Sequence, residues 1–280
     1  MTTTDARHET VLVLGGNGKT GRRVAAGLRE HGLRVRIGSR AGEPPFLWED
    51  RGTWPKVLDG VRAAYIAYSP DLAAPEGADD VGAFAALAVE LGVRRLVLLS
   101  GRGEPGALRG ERAVQDSGAD WTIVRSSWFA QNFSEDYLLE PVLAGEIALP
   151  AGEVGEPFVD AEDVADVAVA ALTAPGHEGK VYEVTGPRLL TFGEATAEIA
   201  RATGRDIRYT HLPAAEYAAL LGSHGLPAEL VSLLTDLFTE VLDGRNAHTA
   251  DGVRQALGRP PRDFTEYALR AASEGAWTRG

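Results

Sequence analysis

Residues 11–25 read VLVLGGNGKTGRRVA, and this stretch decides the fold. Its aliphatic run ends at Gly15, which is typical of a strand buried on both faces of a parallel sheet. Val24, Ala25 and Leu28 then recur at helical spacing, so a helix is expected directly after the glycines. The stretch therefore predicts a strand, a glycine-rich turn and a helix.

Strands and helices alternate along the first half of the chain. Leu33, Val35 and Ile37 alternate with polar residues and predict a second strand. Further strands are predicted at 63–68, 96–99 and 121–124, and helices at 79–91 and 107–117. Parallel strands joined by helices form right-handed units, so this order predicts an α/β fold with a doubly wound parallel sheet.

After Val124 the alternation becomes irregular and helices dominate. Residues 180–184 form a further candidate strand for the sheet. Helices are predicted at 128–144, 164–172, 191–202, 214–221, 227–242 and 263–273.

The composition excludes several kinds of chemistry and partner. The 280 residues include no Cys, which excludes disulfides, thiolate metal sites and cysteine nucleophiles. Lys and Arg number 28 against 40 Asp and Glu, and the net charge of −12 disfavours a direct nucleic-acid partner. The apolar run near the N-terminus is too short for a signal sequence or membrane span, so we expect a cytoplasmic protein with no membrane partner.

The glycine loop has the spacing of a dinucleotide site. It fits Gly-x-Gly-x-x-Gly from Gly16 and Gly-x-x-Gly-x-x-Gly from Gly15. Such glycines let a pyrophosphate approach the backbone at a helix N-terminus, whose N–H groups face the anion. A nucleoside triphosphate loop would need glycine where the chain has Val13. The candidate pyrophosphate-binding residues are Gly15, Asn17, Gly18, Lys19, Thr20 and Gly21.

The end of the second strand indicates which dinucleotide is bound. A free ribose 2′-hydroxyl is usually bound there by Asp or Glu, whereas a 2′-phosphate needs a guanidinium and a hydroxyl. The chain has Ser39 and Arg40 at this point and no acid before Glu43. The sequence therefore favours NADP(H), with Arg40 as the phosphate ligand and Ser39 as a supporting donor. The alternative is that Arg40 is a solvated loop residue.

Two further strand ends supply candidate binding residues, because cofactors and substrates bind at the carboxyl edge of such sheets. Tyr68, Ser69 and Pro70 follow the third strand and are expected near the adenine ribose. Ser100 ends the fourth strand and is a candidate for contact with nicotinamide or substrate. The alternatives are a proline turn in the first case and a strand cap in the second.

Five segments together resemble the NmrA-like group of atypical short-chain dehydrogenases/reductases. They are residues 11–25, VRIGSR at 35–40, FLWEDRGTW at 46–54, RRLVLLSG at 94–101 and WTIVRSSWFAQNF at 121–133. The likeness is greatest to the ergot-alkaloid dehydrogenase-like and quinone-reductase branches. It covers about the first 190 residues strongly and the remainder loosely.

The resemblance implies an NAD(P)-binding Rossmann fold with a smaller, mainly helical C-terminal substrate lobe. We expect the Rossmann core at 1–127 and the lobe at 128–280, with about 157–186 packing back onto the core.

The chain lacks the acid/base dyad that many members of the superfamily use. None of its three lysines, Lys19, Lys56 and Lys180, stands four residues after a tyrosine. Without that dyad, alcohol–ketone interconversion and epimerisation are disfavoured. An iminium accepts hydride without a proton donor, and a quinone gives a stabilised anion. The sequence thus favours NADPH-dependent hydride transfer to such an acceptor, with no catalytic residue identified. The alternative is a non-catalytic NADP(H)-binding redox sensor of the NmrA type.

Aromatic residues after the fifth strand are candidates for binding this small-molecule acceptor. Trp128 and Phe129 would form an apolar wall for a flat substrate, and Asn132 lies in the Arg-x-x-x-Phe-x-x-Asn pattern of the family. Tyr137 follows on the predicted helix. The alternative is that the aromatic residues belong to the core.

The sequence predicts no metal site. Its acidic cluster of Asp160, Glu162, Asp163 and Asp166 lies at the start of a predicted helix, where the helix dipole favours carboxylates. A protein partner or a homo-oligomer remains open.

Overall fold

The computed structural model describes residues 10–278, apart from the side chain of Leu233. The chain divides into two units. The first contains residues 1–126, 161–184 and 251–259, and the second contains residues 127–160, 185–250 and 260–280.

The strands and helices have the following bounds. The strands are β1 (Thr10–Leu14), β2 (Arg34–Gly38), β3 (Val61–Ile66), β4 (Arg95–Gly101), β5 (Asp120–Ser126), β6 (Glu146–Leu149), β7 (Lys180–Val184) and β8 (Arg208–His211). The helices are α1 (Lys19–Glu30), α2 (Trp54–Leu58), α3 (Gly77–Glu90), α4 (Pro105–Gln115), α5 (Asn132–Glu135), α6 (Leu139–Ala144), α7 (Ala161–Thr173), α8 (Phe192–Thr203), α9 (Ala214–Ser223), α10 (Ala228–Asp236), α11 (Gly252–Leu257) and α12 (Phe264–Ser273).

The first unit is built on a six-stranded sheet in the order β2-β1-β3-β4-β5-β7. Every neighbouring pair is parallel. This confirms the predicted α/β fold with a doubly wound parallel sheet. The chain passes from β1 to β2 on one side and to β3 on the other, so the strand order reverses between β1 and β3. The carboxyl ends of β1 and β3 therefore form the topological switch point, where such sheets bind ligands.

The two faces of this sheet are covered by different helices. On one face, buried side chains of α2 and α3 join a cluster that includes Leu12, Trp54 and Phe84. On the other face, α1 and α7 pack so closely that a Cβ added to Gly27 would lie 3.0 Å from Val169. Because both faces are covered, the central strand β1 is a continuous apolar run from Val11 to Leu14, as the sequence indicates.

The second unit has its own aromatic core and a short parallel pair of strands, β6 and β8. The ring of Phe158 lies 5.0 Å from that of Phe192, and Phe133 lies 5.7 Å from Phe264. Helix α8 begins with a capping box, in which Thr191 and Glu194 bond each other's backbone N–H groups. These contacts give the second unit a separate hydrophobic core.

The single helix predicted at 128–144 is wrong. Phe129 instead forms a bridge with Val159, and only the short helices α5 and α6 follow. The N–H of Ala130 donates to the carbonyl of Val159, and the N–H of Val159 donates to that of Trp128. Val159, about thirty residues further along the chain, thus holds the backbone around Phe129 in an extended conformation, although the local spacing of apolar residues favours a helix.

Hydropathy adds one finding about the helices. Within residues 10–278, no helix is both long enough and apolar enough to cross a membrane.

Candidate functional site

The glycine loop lies at the switch point of the sheet. Gly15 follows β1 in a left-handed conformation, with φ of +66°. A Cβ added to it would lie 3.1 Å from the Cβ of Ala67, which follows β3. A Cβ added to Gly16 would lie 2.7 Å from the side chain of Ile37 on β2. The ends of three neighbouring strands thus leave room only for glycine at these two positions.

Gly18 and Gly21 have different roles in the loop. A Cβ added to Gly21 would overlap the carbonyl of Gly15, so Gly21 permits α1 to pack against the loop. Gly18 has φ of −79°, and its N–H donates to the carbonyl of Gly15 at 2.9 Å. A Cβ added to Gly18 would meet only that carbonyl oxygen, at 3.2 Å, and otherwise open space. Gly18 therefore keeps the surface before α1 open.

The other residues of the loop face two directions. Asn17 is exposed and Lys19 is partly exposed at the N-terminus of α1. Thr20 is buried, and its hydroxyl accepts a hydrogen bond of 2.9 Å from Tyr65 on β3. Burial raises the pKa of Tyr65 well above its ordinary value. The hydroxyl of Thr20 thus joins the helix to the sheet, whereas Asn17 and Gly18 are exposed at the helix N-terminus, where an anion would bind.

Ser39 and Arg40 follow β2 at the same edge. The carbonyl of Ser39 accepts the N–H groups of Gly42 and Phe46 at 3.0 and 2.9 Å, which fixes the turn. Arg40 is exposed. Within residues 10–278, it forms no ion pair or side-chain hydrogen bond. Its guanidinium is therefore available to a ligand.

Tyr68, Ser69 and Pro70 follow β3, and Ser69 and Pro70 are exposed. The hydroxyl of Tyr68 donates to Asp80 at 3.0 Å, and its ring centroid lies 4.8 Å from that of Trp48. Burial, followed by the hydrogen bond with Asp80, raises the pKa of Tyr68 to about 12. Tyr68 is thus held in a structural contact and is a weak acid.

Ser100 belongs to a buried polar network at the ends of β4 and β5. Its hydroxyl donates to Glu111 on α4 at 2.6 Å. Glu111 also accepts two hydrogen bonds from Arg125, at 2.9 and 2.5 Å, and Arg125 donates to Glu183 at 2.9 Å. The hydrogen bond with Glu111 is the largest of the effects that raise the pKa of Arg125. The hydroxyl of Ser100 is therefore committed to a protein partner.

Sequence reasoning missed two members of this network, Glu111 and Glu183. Glu111 is only 2% exposed. Burial works to raise the pKa of Glu183, but the hydrogen bond with Arg125 and the charges of Arg102 and Arg125 outweigh it, and the net shift is downward. Local patterns around Glu111 gave no signal of burial, since its partners lie on β4 and β5.

In the second unit, Trp128, Asn132 and Tyr137 lie together. The indole N–H of Trp128 donates to the hydroxyl of Tyr137 at 3.1 Å, and the Trp128 ring lies 5.1 Å from Phe238. Burial is the main reason that the pKa of Tyr137 is raised far above its ordinary value, which makes it a poor acid. Asn132 is 8% exposed, whereas Trp128, Phe129 and Tyr137 each remain partly exposed.

The acidic cluster forms ion pairs with arginines. Asp160 bonds Arg270 at 2.5 Å in the second unit. In the first unit, Glu162 bonds Arg23 at 2.7 Å, and Asp163 and Asp166 both bond Arg259, at 2.8 and 2.6 Å. These ion pairs with arginines explain why the four carboxylates lie where they do, and no bound cation is needed to explain it.

The chain matches no protein-family model. It is, however, similar in sequence to individual known proteins along most of its length. It is 34% identical to an NAD(P)H azoreductase from Xenophilus azovorans over 292 residues, covering 95% of this chain and 99% of the relative. It is 32% identical to agroclavine dehydrogenase from Claviceps fusiformis over 282 residues, covering 92% of this chain and 96% of the relative.

Among solved structures, the chain is similar in fold to an NADPH-dependent quinone oxidoreductase from Escherichia coli, solved as a complex with NADPH. The TM-score is 0.79 at 22% identity, and the match covers 93% of this chain and 99% of the other.

Proposed function

The chain belongs to the NmrA-like atypical short-chain dehydrogenase/reductase family of NAD(P)H-dependent oxidoreductases, and we propose that it transfers hydride from NADPH to an imine or quinone-type acceptor. Cofactor binding is assigned to the unit that carries the glycine loop. Acceptor binding is assigned to the unit that carries Trp128 and Tyr137.

The glycine loop carries the proposal. It opens α1 at the switch point of the sheet, and the exposed surface at Asn17 and Gly18, before the helix N-terminus, suits a pyrophosphate. Arg40 forms no ion pair within residues 10–278, and its exposed guanidinium at the neighbouring strand end suits a 2′-phosphate. The relatives named for NAD(P)H and the solved complex with NADPH support the same cofactor.

The acceptor class follows from the acids that this chain lacks. No lysine stands four residues after a tyrosine, so no tyrosine is activated in that way. Burial strongly raises the pKa of Tyr137, the one tyrosine among the predicted acceptor-binding residues. An imine or a quinone needs chiefly to be held in contact with the nicotinamide. The names of the azoreductase, the agroclavine dehydrogenase and the quinone oxidoreductase support conjugated acceptors of this kind.

A panel of acceptors tests this function. A cyclic iminium, a quinone and a simple ketone are compared by the loss of NADPH absorbance, with wild-type protein and Tyr137→Phe side by side. We expect the iminium or the quinone to react fastest, with deuterium passing directly from C4-deuterated NADPH to the product. Tyr137→Phe is expected to keep the rate within a few-fold, because loss of a general acid typically costs about 10²-fold or more.

Two outcomes contradict the proposal. Fast ketone reduction that collapses in Tyr137→Phe assigns the acid role to that tyrosine. Tight NADPH binding without consumption by any acceptor assigns the protein to the non-catalytic sensors.

Arg40→Ala tests the choice of cofactor. We expect wild-type protein to bind NADPH at least about tenfold tighter than NADH, since a charge-assisted hydrogen bond contributes about 1.5–3 kcal/mol. Arg40→Ala should remove most of this preference. Arg29→Ala, which removes an exposed arginine from the last turn of α1, is the matched control and should retain it. Equal calorimetric affinities of wild-type protein for both cofactors would contradict the assignment.

A further inference from the structure

An aromatic cluster in the second unit carries a tyrosine hydroxyl on a partly exposed surface. The ring of Trp128 lies 5.5 Å from that of Phe192 and 5.1 Å from that of Phe238. The indole N–H of Trp128 donates to the hydroxyl of Tyr137 at 3.1 Å. Trp128 and Tyr137 are both partly exposed, whereas Phe192 and Phe238 are buried. The cluster therefore presents one polar group within an apolar surface.

The hydrogen bond between Trp128 and Tyr137 fixes the direction of the hydroxyl proton. An indole N–H donates and never accepts, so the oxygen of Tyr137 must be the acceptor in this bond. The O–H of Tyr137 therefore points away from Trp128. Because Phe192 and Phe238 pack against the indole, Trp128 keeps its orientation and the hydroxyl of Tyr137 keeps its own.

Within residues 10–278, no protein atom accepts the hydroxyl proton of Tyr137. The side-chain oxygen of Asn132 does not, because it is buried and has no hydrogen-bond partner among the described residues. Burial raises the pKa of Tyr137 far above its ordinary value, so the hydroxyl keeps its proton at neutral pH. Asn132 acts in the opposite direction on this pKa, as a group that donates to the hydroxyl oxygen does. The O–H of Tyr137 is thus left as a donor for a bound molecule.

We propose that the hydroxyl of Tyr137, oriented by Trp128, donates a hydrogen bond to the acceptor and selects acceptors whose conjugated system ends in an uncharged oxygen or nitrogen. This inference rests on the proposed function. A quinone carbonyl or a neutral imine has a lone pair for this hydrogen bond. The nitrogen of an N-alkyl iminium has none. Tyr137 is therefore a specificity-determining residue, and Trp128 is a positioning residue because its N–H acts through Tyr137.

The test compares kcat/KM for menadione with kcat/KM for N-methyl-3,4-dihydroisoquinolinium at saturating NADPH. Tyr137→Phe removes the hydroxyl and keeps the ring, so the menadione-to-iminium ratio should fall about fivefold, the usual effect of one neutral hydrogen bond. Trp128→Phe keeps an aromatic ring and removes the N–H. It should lower the ratio in the same direction but by less, because the hydroxyl of Tyr137 remains and loses its fixed orientation.

A double variant shows whether Trp128 acts through Tyr137. Trp128→Phe should lower the ratio in wild-type protein and leave it unchanged in the Tyr137→Phe background, where no hydroxyl remains to be oriented. Tyr209→Phe is the matched control, because it removes a tyrosine hydroxyl of the same unit that bonds the carbonyls of Leu149 and Gly152, both at 3.5 Å. This control should keep the wild-type ratio.

The outcomes distinguish this inference from the proposed function. A wild-type ratio in Tyr137→Phe overturns the hydrogen bond, whether both rates are kept or both fall, and so does wild-type protein that reduces the iminium alone. An equal effect of Trp128→Phe in both backgrounds overturns its positioning role. If wild-type protein reduces menadione alone, kcat/KM for menadione relative to Tyr209→Phe replaces the ratio. Wild-type protein that oxidises NADPH with neither acceptor overturns the proposed function as well. Circular dichroism and NADPH binding establish that each variant is folded.

Discussion

Gly18→Val is expected to abolish NADPH binding while leaving the protein folded. An added Cβ meets only the carbonyl oxygen of Gly15, at 3.2 Å, and otherwise open space, so a shift of a few tenths of an ångström accommodates it. Gly18 also has a negative φ, which valine adopts without strain. The same open space is where a pyrophosphate would approach the N-terminus of α1. Steric exclusion of the pyrophosphate should weaken binding more than about 100-fold, or about 2.8 kcal/mol.

Gly222→Val is the matched control. Gly222 lies near the end of α9, where a Cβ meets nothing within 4 Å, so this variant should bind NADPH as wild-type protein does. Calorimetric titration with NADPH and circular dichroism compare the three proteins. Normal binding by folded Gly18→Val would show that the pyrophosphate does not lie against this loop.

Local pattern was enough to predict the six strands of the sheet and the helices α1, α3, α4 and α7, because each of these elements carries its own signal. Val11 to Leu14 are buried on both faces, which produces an unbroken apolar run. Val24, Ala25 and Leu28 are the buried stripe of α1, and Gly32 has the positive φ that ends a helix. Each of these signals lies within the element itself and does not depend on the rest of the fold. The sequence alone was therefore enough to predict these elements.

Elements that depend on distant partners were not predictable in this way. The strands β6 and β8 have four residues each, too few for a periodic signal, and they pair across about sixty residues of chain. Helix α11 joins the first unit because Gly252 allows its backbone to contact the carbonyl of Glu183. Nothing near Gly252 in the sequence indicates that contact.

The candidate site shows the same division. The spacing of the glycines and the position of Arg40 follow from local sequence, because a loop after a strand is sufficient for both. The hydroxyl of Ser100 bonds Glu111, which lies on α4 and stands in no recognisable motif. This contact becomes visible only when β4 and α4 are brought together.

Arg125→Met is expected to lower the free energy of unfolding by about 3–5 kcal/mol, the typical cost of leaving one member of a buried ion pair without its partner. Glu111 is 2% exposed and accepts two of its hydrogen bonds from Arg125. Ser100 supplies a third, but a hydroxyl does not neutralise the charge. Met fills much of the space of the arginine side chain, so the effect measures the unpaired charge more than a cavity.

Glu111→Gln in the Arg125→Met background separates these causes. The amide removes the negative charge and keeps an oxygen for the hydroxyl of Ser100, so the double variant should be more stable than Arg125→Met alone. Arg29→Met, at an exposed position of α1, should change stability by less than about 0.5 kcal/mol. Urea unfolding followed by circular dichroism measures all four proteins. If Glu111→Gln fails to restore stability, the loss comes from packing around Arg125 and not from the buried charge of Glu111.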